Sequence, residues 1–230
     1  MFEVQPRYQG ELAVDYALRV LHHNIMTLHL EPGQIIRENE LTERLGISRT
    51  PLREALIRLA SMYLIDIVPQ SSTRVSLIDS DLIKEGIFLR LQVEPAIAER
   101  VCAEIGENDI MRLEDMLAMQ KRLLESGRFE ELLVQDNAFH EKLYQICGAE
   151  KTFRAVSAIC GQYNIMRTLS LYHYTTKIAV REHGGILKAI KERDAAAARK
   201  IMIEHINRHS KEYKTIEKNF PRYFLRVEGV

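Results

Sequence analysis

Asp136 and His140 stand four residues apart in the stretch LLVQDNAFHEKLY, Leu132 to Tyr144. Leu132, Leu133, Phe139 and Leu143 recur there at helical spacing, so the carboxylate and the imidazole fall within an apolar stripe. A carboxylate among apolar side chains is costly unless it is paired or coordinates a metal. At i, i+4 the two side chains point the same way and suit chelation of one ion. Two further histidines lie in line with apolar residues: His183 with Ile186, Leu187 and Ile190, and His205 with Ala198, Ile201 and Met202. One carboxylate and three imidazoles make a borderline N/O set that suits a divalent metal, Zn²⁺ first, with Ni²⁺, Mn²⁺ or Fe²⁺ as alternatives. The plainer alternatives are a hydrogen-bonded Asp136–His140 pair and histidines satisfied within a core. His209 competes with His205 for the same role and is taken as the more exposed of the two. His22, His23, His29 and His173 have no carboxylate at chelating spacing and are read as non-ligands.

A different chemistry is carried by SRTPLREALIRLASMYL, Ser48 to Leu64. Thr50 suits a helix N-cap and Pro51 a first helical residue. Leu52, Ala55, Leu56, Leu59, Ala60 and Tyr63 then trace a buried face. The outer face carries Arg49, Thr50, Arg53 and, further along, Arg58. LGIS separates this helix from a short one before it: Gly46 turns the chain and Ile47 plugs the corner, which is a helix-turn-helix. Arg49 and Arg53 lie one turn apart at the end that a recognition helix inserts into the major groove. Arginine suits guanine O6/N7 or a phosphate clamp. The hydroxyls of Ser48 and Thr50, with the helix N-terminus, suit phosphate oxygens. The alternative is a solvated arginine face on an ordinary surface helix.

The elements that must position these groups change in texture near Ile78–Asp81. Before it come a helix from Leu12 to Leu28, a turn at EPGQ, a short helix from Asn39 to Leu45, the helix at Thr50, and two strands, LIDIV and RVSLI, around the turn PQSST. After it come helical patterns from Ser80 to Glu104, Asn108 to Ser126, Glu130 to Cys147, Lys151 to Leu171, near Thr176, and from Asp194, an N-cap for AAAARKIMIEHI. The fold is expected to be mainly α: a winged helix-turn-helix over residues 1–78, then an antiparallel all-α bundle of about six helices over residues 79–230. The closing stretch NFPRYFLRVEGV is expected to cap the bundle or fray.

The 230 residues are 46% hydrophobic, enough for a core, and 32 basic side chains balance 32 acidic ones. A neutral total leaves a nucleic-acid partner to be decided by local patches. Cys102, Cys147 and Cys160 are three, far apart and without a CxxC pair, which excludes a disulfide framework and suits small buried residues in a reducing compartment. No basic leader followed by an apolar run and no long apolar span is seen, so a cytoplasmic chain with no membrane partner is expected.

LEPGQIIRENELTERLGISRTPLREALIRL, Leu30 to Leu59, resembles the winged helix-turn-helix of the GntR family of bacterial transcription regulators, and SRTPLREAL is close to the family signature. The resemblance implies that Ser48, Arg49, Thr50 and Arg53 contact DNA; Arg44, closing the preceding helix, and Ser72, on the wing, are counted with them. Where members of the family often carry arginine, this chain has Asn39. Where they usually carry glycine it has Tyr63, and Ser72 stands near a wing-tip glycine. Ser71, Ser72 and Thr73 retain hydroxyls for phosphate.

FLRLQVEPAIAERV, DNAFHEKLYQICG, REHGGILKAI and RDAAAARKIMIEHI, between Asp81 and Tyr213, resemble the FCD-type effector domain of one large GntR subfamily. Its Asp-x3-His followed by two single histidines matches Asp136, His140, His183 and His205 in order. The resemblance implies a metal that anchors a small carboxylate effector within the bundle. Gly184 and Gly185 are expected near a helix start, loosening His183. Arg90, preceding Glu94, and Arg167, with Asn164 and Tyr163, are expected to clamp the effector; an interhelical salt bridge from Arg90 is the competing reading.

The whole points to a metabolite-responsive regulator that binds a near-palindromic double-stranded operator as a homodimer. The rivals are a regulator taking a larger ligand without metal, a metalloenzyme fused to a DNA-binding domain, and an architectural dimer with no effector. The enzyme is disfavoured because no HExxH and no carboxylate placed as a base accompanies the ligand set.

Overall fold

The computed structural model describes residues 2–68, 72–173 and 177–225. The first helix, α1 (Ala13–Met26), buries Tyr16, Ala17, Val20, Leu21 and Ile25, a 3.6-period face, against α3 (Arg49–Ala60). Leu28, expected inside α1, instead follows it with a positive φ of 60°. Between α1 and α3, α2 (Glu38–Leu45) stops at Gly46, whose φ of 63° is a left-handed cap that costs glycine little. Ile47 packs against the core from that corner. The N-cap of α3 is Ser48, two residues before Thr50. Pro51 therefore sits within the first turn, where amide hydrogens have no intrahelical partner and proline is tolerated.

The wing is β2 (Ile65–Ile67) antiparallel to β3 (Thr73–Val75), with Asp66 opposite Arg74. A third strand, β1 (Ile35–Ile36), pairs with the other edge of β3 to give the order β1-β3-β2. Two residues are too few to show a period of two, so β1 was not expected. The turn Pro69–Ser71, and with it Ser71, lies outside the described residues. Tyr63 holds φ at 59°, the left-handed conformation that suits the glycine expected at this position.

Among the described residues the C-terminal part has seven helices: α4 (Ser80–Glu104), α5 (Glu107–Glu125), α6 (Phe129–Ile146), α7 (Glu150–Ile159), α8 (Gly161–His173), α9 (Lys177–Lys191) and α10 (Ala195–Asn219). Asp79 caps α4 by accepting from Asp81 N at 2.8 Å, and Asp194 caps α10 by accepting from Ala197 N at 2.9 Å. The stretch expected as one helix from Lys151 to Leu171 breaks at Cys160. A side chain at Gly161 would lie 2.7 Å from the Met62 carbonyl, so this glycine seats the start of α8 directly on the N-terminal unit. The long helices α4 and α10, each about 37 Å, pack along one another through Ile83, Ile87 and Val101 on one side and Ala198, Met202 and Ile206 on the other. Gly184 and Gly185 lie in the middle of α9, where a Cβ on Gly185 would meet Ile201 of α10 at 3.5 Å.

Two ties join the parts. Along α8, Gln162 Nε2 donates to Tyr63 O at 2.5 Å, Gln162 Oε1 accepts from Asp79 N at 3.2 Å, and the Thr168 hydroxyl donates to Met26 O at 2.7 Å. After α10, Phe224 bridges in parallel to Ile78, with Ile78 N donating to Tyr223 O at 2.8 Å and Leu225 N to Ile78 O at 2.9 Å. The closing stretch thus clasps the junction as far as Leu225; residues 226–230 lie outside the description. The three cysteines are buried and unpaired.

Candidate metal centre and DNA-facing surface

Three helices bring His140 (α6), His183 (α9) and His205 (α10) together, all buried, with one ligating nitrogen of each within 4.8 Å of the others. His140 Nε2 and His205 Nε2 are 3.3 Å apart. The opposite nitrogen of each ring faces a polar group, although His140 Nδ1 makes no hydrogen bond to it. His140 Nδ1 lies 2.9 Å from Glu94 Oε2, and His205 Nδ1 lies 2.8 Å from Glu182 Oε2. A carboxylate only accepts, so both Nδ1 atoms carry the hydrogen and both Nε2 atoms present lone pairs. His183 Nδ1 meets Gln120 Oε1 at 2.8 Å. The Gln120 amide nitrogen donates to Gln135 O at 3.1 Å, which leaves its oxygen for the imidazole. His183 Nε2 is buried with no hydrogen-bond partner.

Among the described residues no N–H or O–H donor reaches the converging Nε2 atoms of His140, His183 and His205 other than the three rings themselves. Asp136 closes the fourth side, with Oδ1 3.6 Å from His183 Nε2 and Oδ2 3.9 Å from His140 Nε2. The latter separation rules out the simple hydrogen-bonded pair. A tetrahedral ion with ~2.0–2.1 Å bonds needs ligand atoms about 3.3 Å apart; the three imidazoles group closely enough to hold one ion, while Asp136 stands at their edge with its Oδ2 paired to Arg167. Burial drives the His183 and His205 imidazoles well below their ordinary range, and the nearby histidines and arginines add to it. His140 is also lowered, by burial that the adjacent Glu94 only partly opposes. Neutral rings are what metal ligation requires.

His209 is buried rather than exposed: four residues after His205, it shares the inward face of α10. Its ring stands edge-on to Tyr163 at 5.5 Å between centroids and to His205 at 6.0 Å, outside the converging trio. Burial pushes it down to about 3, against the opposing Glu212 hydrogen bond. His23 does have a carboxylate, supplied from far away in sequence: its Nε2 lies 3.0 Å from Glu3 Oε2 on the partly exposed surface near His29. The His173 side chain lies outside the description.

A cavity of about 240 Å³ adjoins the cluster, lined on the bundle side by Arg90, Glu94, Asn137, His140, Asn164 and Arg167. Arg167 pairs with Asp136 Oδ2 and donates to Asn137 Oδ1 at 2.8 Å and Asn164 Oδ1 at 3.3 Å. Arg90 makes its salt bridge within α4, to Glu94, through Nε at 2.5 Å and Nη2 at 3.0 Å. Its Nη1 donates to the Tyr163 hydroxyl at 2.8 Å. Tyr163 is fully buried behind Arg90 and outside the cavity lining. Burial pushes Glu94 up, but the charges of Arg90 and His140 and the Arg90 hydrogen bonds outweigh it and hold the carboxylate ionised.

Gln120 and Glu182, which orient two of the imidazoles, were not foreseen. Glu182 directly precedes His183 in sequence yet serves His205, a pairing that exists only once α9 and α10 are side by side. Gln120 is a buried polar residue in an otherwise apolar stripe of α5 with Leu113, Leu117 and Leu123, and that was its only linear signal.

On the other unit Ser48, Arg49, Thr50 and Arg53 are exposed together at the start of α3. Arg49 Nη2 donates to Asn39 Oδ1 at 2.9 Å, and Arg53 Nε to Glu38 Oε2 at 3.0 Å. Arg44 is turned onto the N-terminal segment, 4.7 Å over the Phe2 ring and donating to Phe2 O at 3.0 Å. Arg58 pairs with Asp15 at 3.0 Å, across to α1. Ser72 closes the wing by accepting from Val68 N at 3.0 Å through its carbonyl, and stays partly exposed.

A family model for the FCD domain matches residues 85–208, and one described as bacterial regulatory proteins, gntR family, matches residues 17–75. The HTH-type transcriptional repressor RspR of Escherichia coli (strain K12) is 28% identical over 207 residues, 90% of this chain and 91% of that protein. An HTH-type transcriptional regulator in an unstable DNA locus of Streptomyces ambofaciens is 32% identical over 205 residues, 89% of this chain and 86% of that one. The solved structure of E. coli McbR/YncC shares the fold, with a TM-score of 0.79 at 18% identity over 89% of this chain and 98% of that one.

Proposed function

The chain belongs to the GntR family of bacterial regulatory proteins and carries an FCD domain; from that premise we propose that it is a homodimeric regulator whose bundle holds one divalent metal, Zn²⁺ first, and a small carboxylate effector. It is a transcription regulator and not an enzyme, as its named relatives are. The observation that carries the metal reading is the convergence of ring nitrogens from His140, His183 and His205, with the far nitrogens of His183 and His205 hydrogen-bonded and that of His140 facing Glu94.

Asp136, His140, His183 and His205 hold the ion. When bound, the ion supplies a Lewis-acidic anchor for one carboxylate oxygen. Asp136 serves two partners at once, since a carboxylate has two oxygens and about four acceptor sites. Arg167 and Asn164, on the cavity wall, take the effector's remaining oxygens. Arg90 contributes its charge from a guanidinium already fixed by Glu94, so Arg167 is the more available clamp. The limited cavity argues against the larger, metal-free ligand.

Arg167 lies on α8, the helix whose Thr168 and Gln162 hold Met26 at the end of α1 and Tyr63 after α3. An effector that pulls on Arg167 therefore acts on the element that seats the DNA-reading unit. The response equals the effector's differential affinity for the two placements, and about 1.4 kcal/mol gives tenfold in operator affinity. Two copies of Ser48, Arg49, Thr50 and Arg53 read the half-sites of a near-palindromic operator. Native mass spectrometry of protein purified without added metal tests this directly. A dimer carrying one ion per chain is expected, and a metal-free monomer contradicts it.

A further inference from the structure

The cavity beside the histidine cluster is not walled by the bundle alone. His22, on α1, and Met62, just after α3, line it together with Arg90, Asn164 and Arg167. Both belong to the unit that carries Arg49 and Arg53. His22 sits on the helix against which α3 packs, so whatever touches it touches the support of the reading helix.

Three charged groups of the bundle wall are already engaged, while Glu141, also on the wall, accepts only from Gln145 Nε2 at 3.4 Å. Arg90 is held by Glu94 and Tyr163, Glu94 also by His140, and Arg167 by Asp136 and Asn137. His22 is different: it is partly buried, it lines the cavity, and among the described residues its imidazole has no hydrogen-bond partner. A neutral imidazole offers one donor and one acceptor. It is suited to a hydroxyl or a carboxylate oxygen of a ligand in the cavity.

Resting on the carboxylate-and-metal reading above, we propose that the effector is a small acid with a second polar group, a hydroxy acid or a di- or tricarboxylate. That second group binds His22, so the ligand itself bridges the DNA-reading unit and the bundle. The cavity of about 240 Å³ has room for an acid of a few carbons. Direct bridging gives the effector its differential affinity without a relay through packed side chains. The contact to His22 exists only while the two units are docked, so binding favours the docked placement. Met62 supplies an adaptable apolar wall to the carbon skeleton.

The test uses the zinc-loaded full-length chain, with acetate, malate and citrate as probes in calorimetry. Wild type is expected to bind malate or citrate more tightly than acetate. His22→Ala is expected to lower malate or citrate affinity at least tenfold and leave acetate unchanged, and His22→Gln to retain part of the difference. Hydrogen exchange supplies a second readout: citrate or malate should slow exchange in α1 of wild type and not of His22→Ala. If His22→Ala fails to fold or to hold zinc, His22→Gln carries the same comparison. Equal loss for acetate and citrate, no loss in either variant, or protection confined to the bundle helices overturns the bridge. Failure of all three acids to bind wild type, seen before any variant is made, overturns the carboxylate reading and the bridge with it.

Discussion

Arg53–Glu38 and Arg90–Glu94 are the same pair of residue types at similar distance, 3.0 Å and 2.5 Å, in opposite surroundings. The first lies on the DNA-facing surface, with side chains 67% and 26% exposed; the second is in the bundle, at 5% and 4%. In water such a pair contributes ~0–1 kcal/mol, so Arg53 can exchange Glu38 for a base or a phosphate at little cost. In the bundle each charge opposes the burial of the other, and removing either leaves an uncompensated ion. Arg90–Glu94 is therefore scaffold. It fixes the carboxylate that faces His140, while Arg53–Glu38 is, on the proposed function, a contact that Arg53 gives up for DNA. One chain thus uses the same chemistry for a replaceable contact and for a permanent one.

The largest expected effect breaks the buried member. Glu94→Ala should lose about 3–5 kcal/mol of stability in urea denaturation and weaken metal retention, because Arg90 loses its partner and His140 the carboxylate it faces. If stability falls by no more than a surface substitution would cost, the two pairs are not different in kind. Arg53→Ala sharpens the comparison from the other side. Operator affinity should fall by about 1–3 kcal/mol if it reads a base, with stability within ~0.5 kcal/mol of wild type.

Gln120→Ala leaves all four proposed ligands in place and frees the far nitrogen of His183 together with the Gln135 carbonyl. Zinc affinity measured against a chelator is expected to fall about 10–100-fold with operator affinity of the effector-free protein unchanged. Mild acid probes the buried unit selectively. His209 falls from its ordinary value to about 3, so between pH 6.5 and 3 the unfolded chain binds a proton that the folded one refuses. Stability should decline progressively as pH falls from 6.5, and the decline between pH 7 and 5 should be smaller in His209→Gln. Glu212, lowered to about 2 chiefly by His209 and Arg208 against burial, adds stability that is lost only below its ordinary 4.5. The smallest effect is Tyr63→Gly. Relief of the left-handed backbone, ~1 kcal/mol, less the entropy of the freer unfolded chain, ~0.5 kcal/mol, leaves a gain of about 0.5 kcal/mol in the urea midpoint.

Local signals carried much of this arrangement. Helix α4 runs from Ser80 to Glu104 as its apolar period implies, and the i, i+4 spacing of Asp136 and His140 declares a shared helical face. That His183 and His205 reach the same point followed from resemblance and antiparallel packing, since nothing in their own spacing says so. What escaped the linear reading is what only tertiary contact creates. The break at Cys160 answers to the Met62 carbonyl, more than ninety residues earlier in the chain. The burial of His209 is accompanied by its edge-on contact with Tyr163 of α8, and the placement of Arg44 over the N-terminal segment depends on Phe2. The clasp of Phe224 on Ile78 joins segments from opposite ends of the chain. Short elements such as β1 were silent for a different reason: two residues have no periodicity to read.

Zinc K-edge X-ray absorption on the loaded protein tests the central claim, that side chains from α6, α9 and α10 meet around one cation. Three imidazole nitrogens with oxygen donors at ~2.0–2.1 Å are expected, with the imidazole scattering reduced by a third in His183→Ala. A wild-type spectrum with one imidazole or none, or one that His183→Ala leaves unchanged, would contradict it.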